Sequence, residues 1–362
     1  MAAHPQEDGA VPRRPRLLFY AMYDARRASN APRVRIQLLS QALTRHAAVH
    51  MVSGSRLRRL TAASRAALTG SLWRADAVYV ETITSSAMPW DLLFLAAARA
   101  TGKPVGIYFR DAYQLFRDLY PIPGWRARLS DLAWRASVWA LRRLATVCFV
   151  PSAGLASALH LRRAVLLPPG TDPATPDLGA GDEPLVAYVG ALTAADGFDR
   201  LLEAMHLVRE QVTDARLLAI GPAVPGGKTT LPEWVEVRRA SRDELAPLLA
   251  PARVCVIPRP INPYTDLAWP IKLSDYLAFG KPVVATATAE TVAVLDGTGA
   301  GLVVGDSVPE LANGLARVLS DSRLAAALAT QGRALALDEG MTWDHRARHL
   351  LNSLGLGERR AG

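Results

Sequence analysis

At 362 residues the chain is too long for one ordinary hydrophobic core and suits two domains of about 150 residues each. Half of its residues are apolar and 21% are Asp, Glu, Lys or Arg, a balance that excludes an intrinsically disordered chain. No run approaches the ~18 consecutive apolar residues of a membrane span, and the opening MAAHPQEDGAVPRRPR lacks the apolar stretch of a signal peptide. A cytoplasmic protein is therefore expected. Its two cysteines, Cys148 and Cys255, lie in the apolar runs ATVCFVPS and ARVCVIPR, which suits buried thiols in a reducing compartment. The net charge of +9 is uneven: residues 1–170 hold 24 Lys and Arg against 9 Asp and Glu, and the remainder 18 against 24. Such asymmetry points to an acidic partner for the first half, with a solvated Arg-rich surface as the other reading.

Taken in chain order, a disordered tail is expected over 1–13. Strands are then predicted at 16–20, 49–53, 77–81, 104–109 and 146–150, separated by helical patterns at 34–46, 64–68, 90–101 and 125–144. The stretch 167–184, LPPGTDPATPDLGAGDEP, reads as an interdomain linker. The pattern restarts with strand 185–189, helix 198–211, strands 215–220 and 234–238, helix 243–249 and strand 254–257. Helix 270–279, strands 282–285 and 302–304, and three C-terminal helical segments complete it. Alternating strands and helices predict parallel sheets covered on both faces, which take ligands at the carboxyl ends of their strands. Two such domains place a ligand in the cleft between them. The expected limits are 14–167 plus a returning helix at 341–356 for the first domain, a linker at 168–184, and 185–340 for the second.

The densest signal is IPRPINPYTDLAWPIKLSDYLAFGKPVVA, residues 257–285. Pro270 suits the first position of a helix, where its missing N–H costs nothing. Lys272 then falls in the first turn and Asp275 one turn on, on the same face. Free N–H groups and a partial positive charge at a helix N-terminus favour phosphate, and a lysine adds full charge. A carboxylate one turn later accepts hydrogen bonds from two ribose hydroxyls. The bland reading is a solvated face with an i,i+3 ion pair.

This segment resembles the donor-site signature of retaining family 4 glycosyltransferases of the GT-B fold, in the branch reading P-x-K-[LF]-x-E-Y-x-A-x-G-K-P-V-V-A. LVAYVGALTAADGFDRLLEAM is similar to the strand, Gly loop and helix that open that family's donor domain, and ARLLAIGPA to its next strand. ATATAETVAVLDGTGAGLVV, DSVPELANGLARVLSD and MTWDHRARHLL resemble its later segments, and VCFVPS and LLPPGTD the end of its acceptor domain. The resemblance implies an α/β protein of two Rossmann-like domains facing each other across a cleft. It also implies transfer of a sugar from a nucleoside diphosphate to a hydroxyl acceptor with retained configuration, and no obligatory metal or other cofactor. Donor contacts fall on Gly190, Arg259, Lys272, Leu273 and Asp275, with Lys272 at the diphosphate and Asp275 at the ribose.

Three positions depart from the family pattern. The first of its paired glutamates would fall at Leu267, with Asp266 adjacent as a substitute carboxylate after a one-residue slip. Ala191 and Asp196 stand where many relatives carry phosphate-directed cations. These departures keep open a catalytically inactive homologue acting as a binding partner; a sugar-nucleotide epimerase is a further alternative.

In the first half, GIYFRDAYQLF resembles the R-D segment at the end of a central strand in the same family. Asp111 is expected to orient or deprotonate an acceptor hydroxyl and Arg110 to face phosphate; a local ion pair or helix cap is the other reading. Asn30, Arg33 and Arg35 precede or open a helix, an arrangement suited to an anionic acceptor or to the donor diphosphate. Helix 125–144 mixes Trp125, Trp134 and Trp139 with Arg126, Arg128, Arg135, Arg142 and Arg143, as an interfacial membrane helix does. Peripheral contact with an anionic membrane is expected on that ground, and no nucleic acid. PAVPGGKTT mimics a phosphate-binding P-loop, but Pro222 occupies a required glycine position and Pro225 removes another N–H.

Overall fold

The computed structural model describes residues 13–25, 31–121, 124–222 and 231–357. The expected tail up to residue 12, Asn30, and the 223–230 part of the P-loop-like segment lie outside the described residues.

The first unit runs β1 (Arg16–Ala21), α1 (Ala31–His46), β2 (Ala48–Val52), α2 (Arg56–Leu68), α3 (Ser71–Arg74), β3 (Ala77–Glu81), α4 (Pro89–Ala100) and β4 (Val105–Tyr108). It continues through α5 (Trp125–Leu144), β5 (Val147–Val150), α6 (Ala153–Ala158) and β6 (Ala164–Leu166). The second runs β7 (Glu183–Val189), α7 (Phe198–Gln211), β8 (Arg216–Ile220), β9 (Val235–Arg238), α8 (Leu245–Leu249), β10 (Ala252–Ile257) and α9 (Ile271–Ala278). Then come β11 (Val283–Thr286), α10 (Ala289–Leu295), β12 (Leu302–Val304), α11 (Val308–Ser320), α12 (Ser322–Leu337) and α13 (Trp343–Ser353).

Each unit is a six-stranded sheet with every pairing parallel, in the orders β2-β1-β3-β4-β5-β6 and β12-β11-β10-β7-β8-β9. Side chains along a strand alternate between faces, so successive residues feed different cores. Leu18, Tyr20, Val78 and Val80 pack with α4 on one face, and Leu17, Phe19, Ala77 and Tyr79 pack with α1 on the other. That second face is completed by Trp343, Ala347, Leu350 and Leu351 of α13, so the chain's last helix returns to the first sheet. In the second sheet Val186, Tyr188 and Val256 pack under α7 and α11, while Ala187, Cys255 and Ile257 pack under α9.

Both sheets reverse their winding direction beside their first strand. The reversal lies between β1 and β3 in one and between β7 and β10 in the other. At such a point the loops leave in opposite directions and open a crevice at the carboxyl ends of the strands. The first crevice is therefore edged by Ala21 and Glu81, the second by Val189 and Ile257.

Helix α2 starts at Arg56, well before the apolar pattern at 64–68, because a charged residue holds a core position. Arg59 is buried and grips Asp91 through Nε and Nη2, at 2.8 and 2.9 Å. Helices α6 and α10 and strand β6 are too short for a periodicity to announce them. Pro270 precedes α9 as its N-cap, with φ −79° and ψ 102°, instead of serving as its first helical residue. Cys148 and Cys255 are both free, and burial pushes the Cys255 thiol up to about 12. Among the described residues no helix is long and apolar enough to cross a membrane.

Candidate functional site

The second crevice is built by the turn after β7 and the loop after β10. Gly190 ends β7 with φ +153°, and a Cβ there would meet Lys272 Nζ at 2.5 Å and the Tyr188 hydroxyl at 2.9 Å. Glycine is favoured here by the positive φ, which L side chains rarely adopt, and its missing Cβ lets the lysine of α9 approach the backbone. Lys272 Nζ sits 4.2 Å from the centroid of the Tyr188 ring. It is buried and has no hydrogen-bond partner. Burial holds its ammonium down, at about 7, with the carboxylate of Asp196 opposing and the positive charge of Arg259 adding to the depression. A cation kept from water without a hydrogen bond is costly unless an anion arrives to share the cavity.

Arg259 follows β10 with its Nε also buried and unpartnered, and its Nη1 reaches only the Ala268 carbonyl at 3.4 Å. Asp196 folds into the Gly loop, where Thr193 Oγ1 donates to its Oδ2 at 2.8 Å. Lys272, Arg259, Asp196 and Gly190 thus converge on one crevice. The solvated-face alternative for α9 fails, because Lys272 and Asp275 do not pair. Asp275 is held instead by Arg242 Nη1, and its carboxyl is raised by burial against the pull of that guanidinium. Leu273 requires correction as a donor contact. Its side chain is fully buried in the core, and its N–H donates to the Pro270 carbonyl at 2.9 Å.

The first crevice centres on Glu81, a fully buried carboxylate. Arg35 Nε and the Tyr79 hydroxyl donate to Oε1 at 3.1 and 2.8 Å, and Arg110 Nη2 donates to Oε2 at 2.7 Å. Arg35 is 1% exposed, lies 3.9 Å over the Tyr108 ring and reaches toward Trp343. It is a cleft-floor residue, buried beneath the crevice. Arg110 donates to the same carboxylate, 29 residues earlier in the chain, so its ion pair is with Glu81 and not the local one with Asp111. Arg33, in the first turn of α1, is half-buried. Asp111 accepts a hydrogen bond from Thr84 Oγ1 at 3.1 Å, while its Oδ1 is buried without a partner. Burial pushes its carboxyl up to about 6, against the lowering influence of Arg110 and the Thr84 bond.

The two units are joined beside these crevices. Tyr264, 3% exposed, stacks on Tyr113 at 4.2 Å between centroids, with Phe116 and Tyr120 edge-on at 5.9 and 5.1 Å. Ser152 Oγ donates to the Leu267 carbonyl at 2.7 Å, and the Leu267 side chain packs against the first unit's core. Leu267 is thus a joint between domains. Asp266 Oδ1 accepts the N–H of Ala289 at 3.0 Å, which ties it to the start of α10. Glu290, in that first turn, is raised by burial to about 7.

Glu81 had one legible signal, an acidic residue closing an otherwise apolar strand at the carboxyl edge. Tyr188, Tyr264 and Arg242 had none, since each gains its role from a partner distant in sequence.

Residues 183–321 match the family described as Glycosyl transferases group 1. No curated protein sequence matches the chain. Among solved structures, the sucrose-phosphate synthase of Thermosynechococcus elongatus superposes with a TM-score of 0.69 at 16% identity, covering 94% of this chain and 98% of that one. Anabaena HepE in complex with UDP gives 0.66 at 13% identity, covering 94% and 99%. WaaG, a glycosyltransferase involved in lipopolysaccharide biosynthesis, gives 0.62 at 16% identity, covering 91% and 98%. With its two parallel Rossmann-like sheets the chain has the GT-B fold, and residues 183–321 of its second unit match the glycosyl transferases group 1 model.

Proposed function

We propose that this chain is a retaining glycosyltransferase that moves a sugar from a nucleoside diphosphate to a hydroxyl acceptor. The observation that carries the reading is the buried, unpartnered ammonium of Lys272, pressed against Gly190 at the winding reversal of the second sheet. A diphosphate there would meet Lys272, Arg259 and the N-terminus of α9, leaving charge on the departing group to side chains and helix amides without an obligatory metal. HepE's complexes with UDP and UDP-glucose, in the same fold, support a nucleotide-sugar donor. The bond from the anomeric carbon to the β-phosphate oxygen breaks, and the acceptor oxygen bonds to that carbon from the same face. The hydroxyl proton leaves on the departing diphosphate. The unsatisfied Asp111 Oδ1 is the acceptor-side group that takes a hydrogen bond from the attacking hydroxyl.

A second feature bears on the acceptor. On α5, Trp134 is buried, whereas Trp125, Leu129, Leu132 and Trp139 are 68%, 55%, 66% and 61% exposed and share the opposite face. Arg128, Arg135 and Arg142 run beside that stripe at seven-residue spacing. This supports peripheral docking on an anionic membrane, and with it a lipid-carried acceptor.

The test of the donor site is thermal unfolding with UDP, GDP, ADP and TDP, beside Lys272→Ala. One nucleotide at about 100 times its Kd adds roughly 2.7 kcal/mol, a shift of several degrees that the variant loses. No shift with any of the four at millimolar concentration would leave a non-catalytic GT-B homologue as the better reading.

A further inference from the structure

The first crevice contains more positive charge than its protein partners satisfy. Glu81 offers two oxygens, and Arg35, Arg110 and Tyr79 use both. Arg35 still has Nη1 and Nη2 buried with no hydrogen-bond partner. A third guanidinium joins from the other end of the chain. Trp343, under Arg35, opens α13, and Arg346 lies one turn later on the same face. Arg346 Nε is also buried and unpartnered. Burial, and then the charge of Arg35, push its guanidinium down to about 10. Even with Asp111 beside Arg110, two carboxylates among three guanidinium groups leave an excess of positive charge, and buried N–H donors without acceptors cost free energy each. The cluster reaches the surface at Arg110 and Arg346, both only partly covered.

We propose that Arg35 and Arg346 grip an oxyanion, phosphate or carboxylate, carried by the acceptor, with Glu81 fixing the Arg35 fork so that its outer N–H groups face the anion. Guanidinium forks match such oxygens two at a time, and a net positive crevice rejects a neutral sugar in favour of a charged one. The donor diphosphate has its own cations, Lys272 and Arg259, at the reversal of the other sheet. That the anion belongs to an acceptor rests on the transferase reading; the anion site itself does not.

Isothermal titration with inorganic phosphate, in chloride buffer of constant ionic strength, tests it on the intact chain. Saturable binding of one phosphate is expected, weakened at least tenfold in Arg346→Met and unchanged in Lys272→Met, and saturating UDP should not displace it. Arg35→Lys, which keeps the charge and drops the fork, provides a second variant with the same expected loss. Acetate in place of phosphate separates a carboxylated acceptor from a phosphorylated one. Equal binding by wild type and Arg346→Met, or none by either anion, overturns the proposal. Displacement by UDP, with loss in Lys272→Met, overturns it as well and gives the anion to the donor. Absent binding of UDP, GDP, ADP and TDP alike, with phosphate binding intact, removes the transferase reading and leaves the anion site standing.

Discussion

Truncating Tyr264 to alanine probes how the two domains hold their relative position. The ring is 3% exposed and contacts three aromatic rings of the first domain while belonging to the second. Removing a buried aromatic ring costs about 3–5 kcal/mol, and each well-oriented ring pair adds about 0.5–1.5 kcal/mol beyond burial. The loss falls on the seam, because Tyr264 sits on a loop and its partners lie across the interface. At about 2–4 °C per kcal/mol for a unit of 150–250 residues, the expected drop is 6 °C or more. Scanning calorimetry should show one transition splitting into two as the domains uncouple, and Tyr264→Phe should restore a single transition. A Tyr264→Ala protein that melts in one transition within about 2 °C of wild type would refute the reasoning, since a packed ring cannot be removed at so little cost.

Other outcomes follow from the same geometry. Lys272, depressed to about 7 from 10.5, is more fully protonated in the unfolded chain than in the native one between those values. Nucleotide-free stability therefore rises with pH across that window, and Lys272→Met should raise the unfolding free energy by about 0.5–2 kcal/mol, most at or below pH 7, while abolishing nucleotide binding. Nucleotide affinity should fall by up to about tenfold per pH unit above 7, and Lys272→Arg should flatten that profile in a titration series. Asp266→Ala should cost about 1 kcal/mol through the freed Ala289 N–H and leave kcat within a few-fold; a loss of a hundredfold or more would restore Asp266 as a catalytic group. On α5, Leu132→Ser with Trp139→Ser should abolish co-sedimentation with vesicles containing phosphatidylglycerol without changing the melting point, and unchanged binding would exclude this face.

Much of the second crevice was legible locally. Gly190, Arg259 and Lys272 sit on short strand–turn–helix units whose geometry follows from nearest neighbours, and the fold brings them together. The motif could not say that Lys272 would be dry and partnerless while Asp275 went to Arg242, because Arg242 lies in a different loop. Leu273 looked like part of the site for its place in the motif, yet a helix shows one face to the crevice and the next residue to the core. Leu267, an apparent gap where a carboxylate belonged, proves to be a hydrophobic joint to the first domain.

Alternation of short apolar strands with amphipathic helices was enough to determine two parallel α/β sheets, because the period of each pattern is a property of the local backbone. The joint between the sheets and the buried Glu81 with its arginines depended on tertiary structure alone, whereas the return of α13 to the first sheet was already expected from the sequence. These features depend on residues far apart in sequence meeting in a low-dielectric interior, where an unpaired charge is expensive and its partner is chosen by geometry.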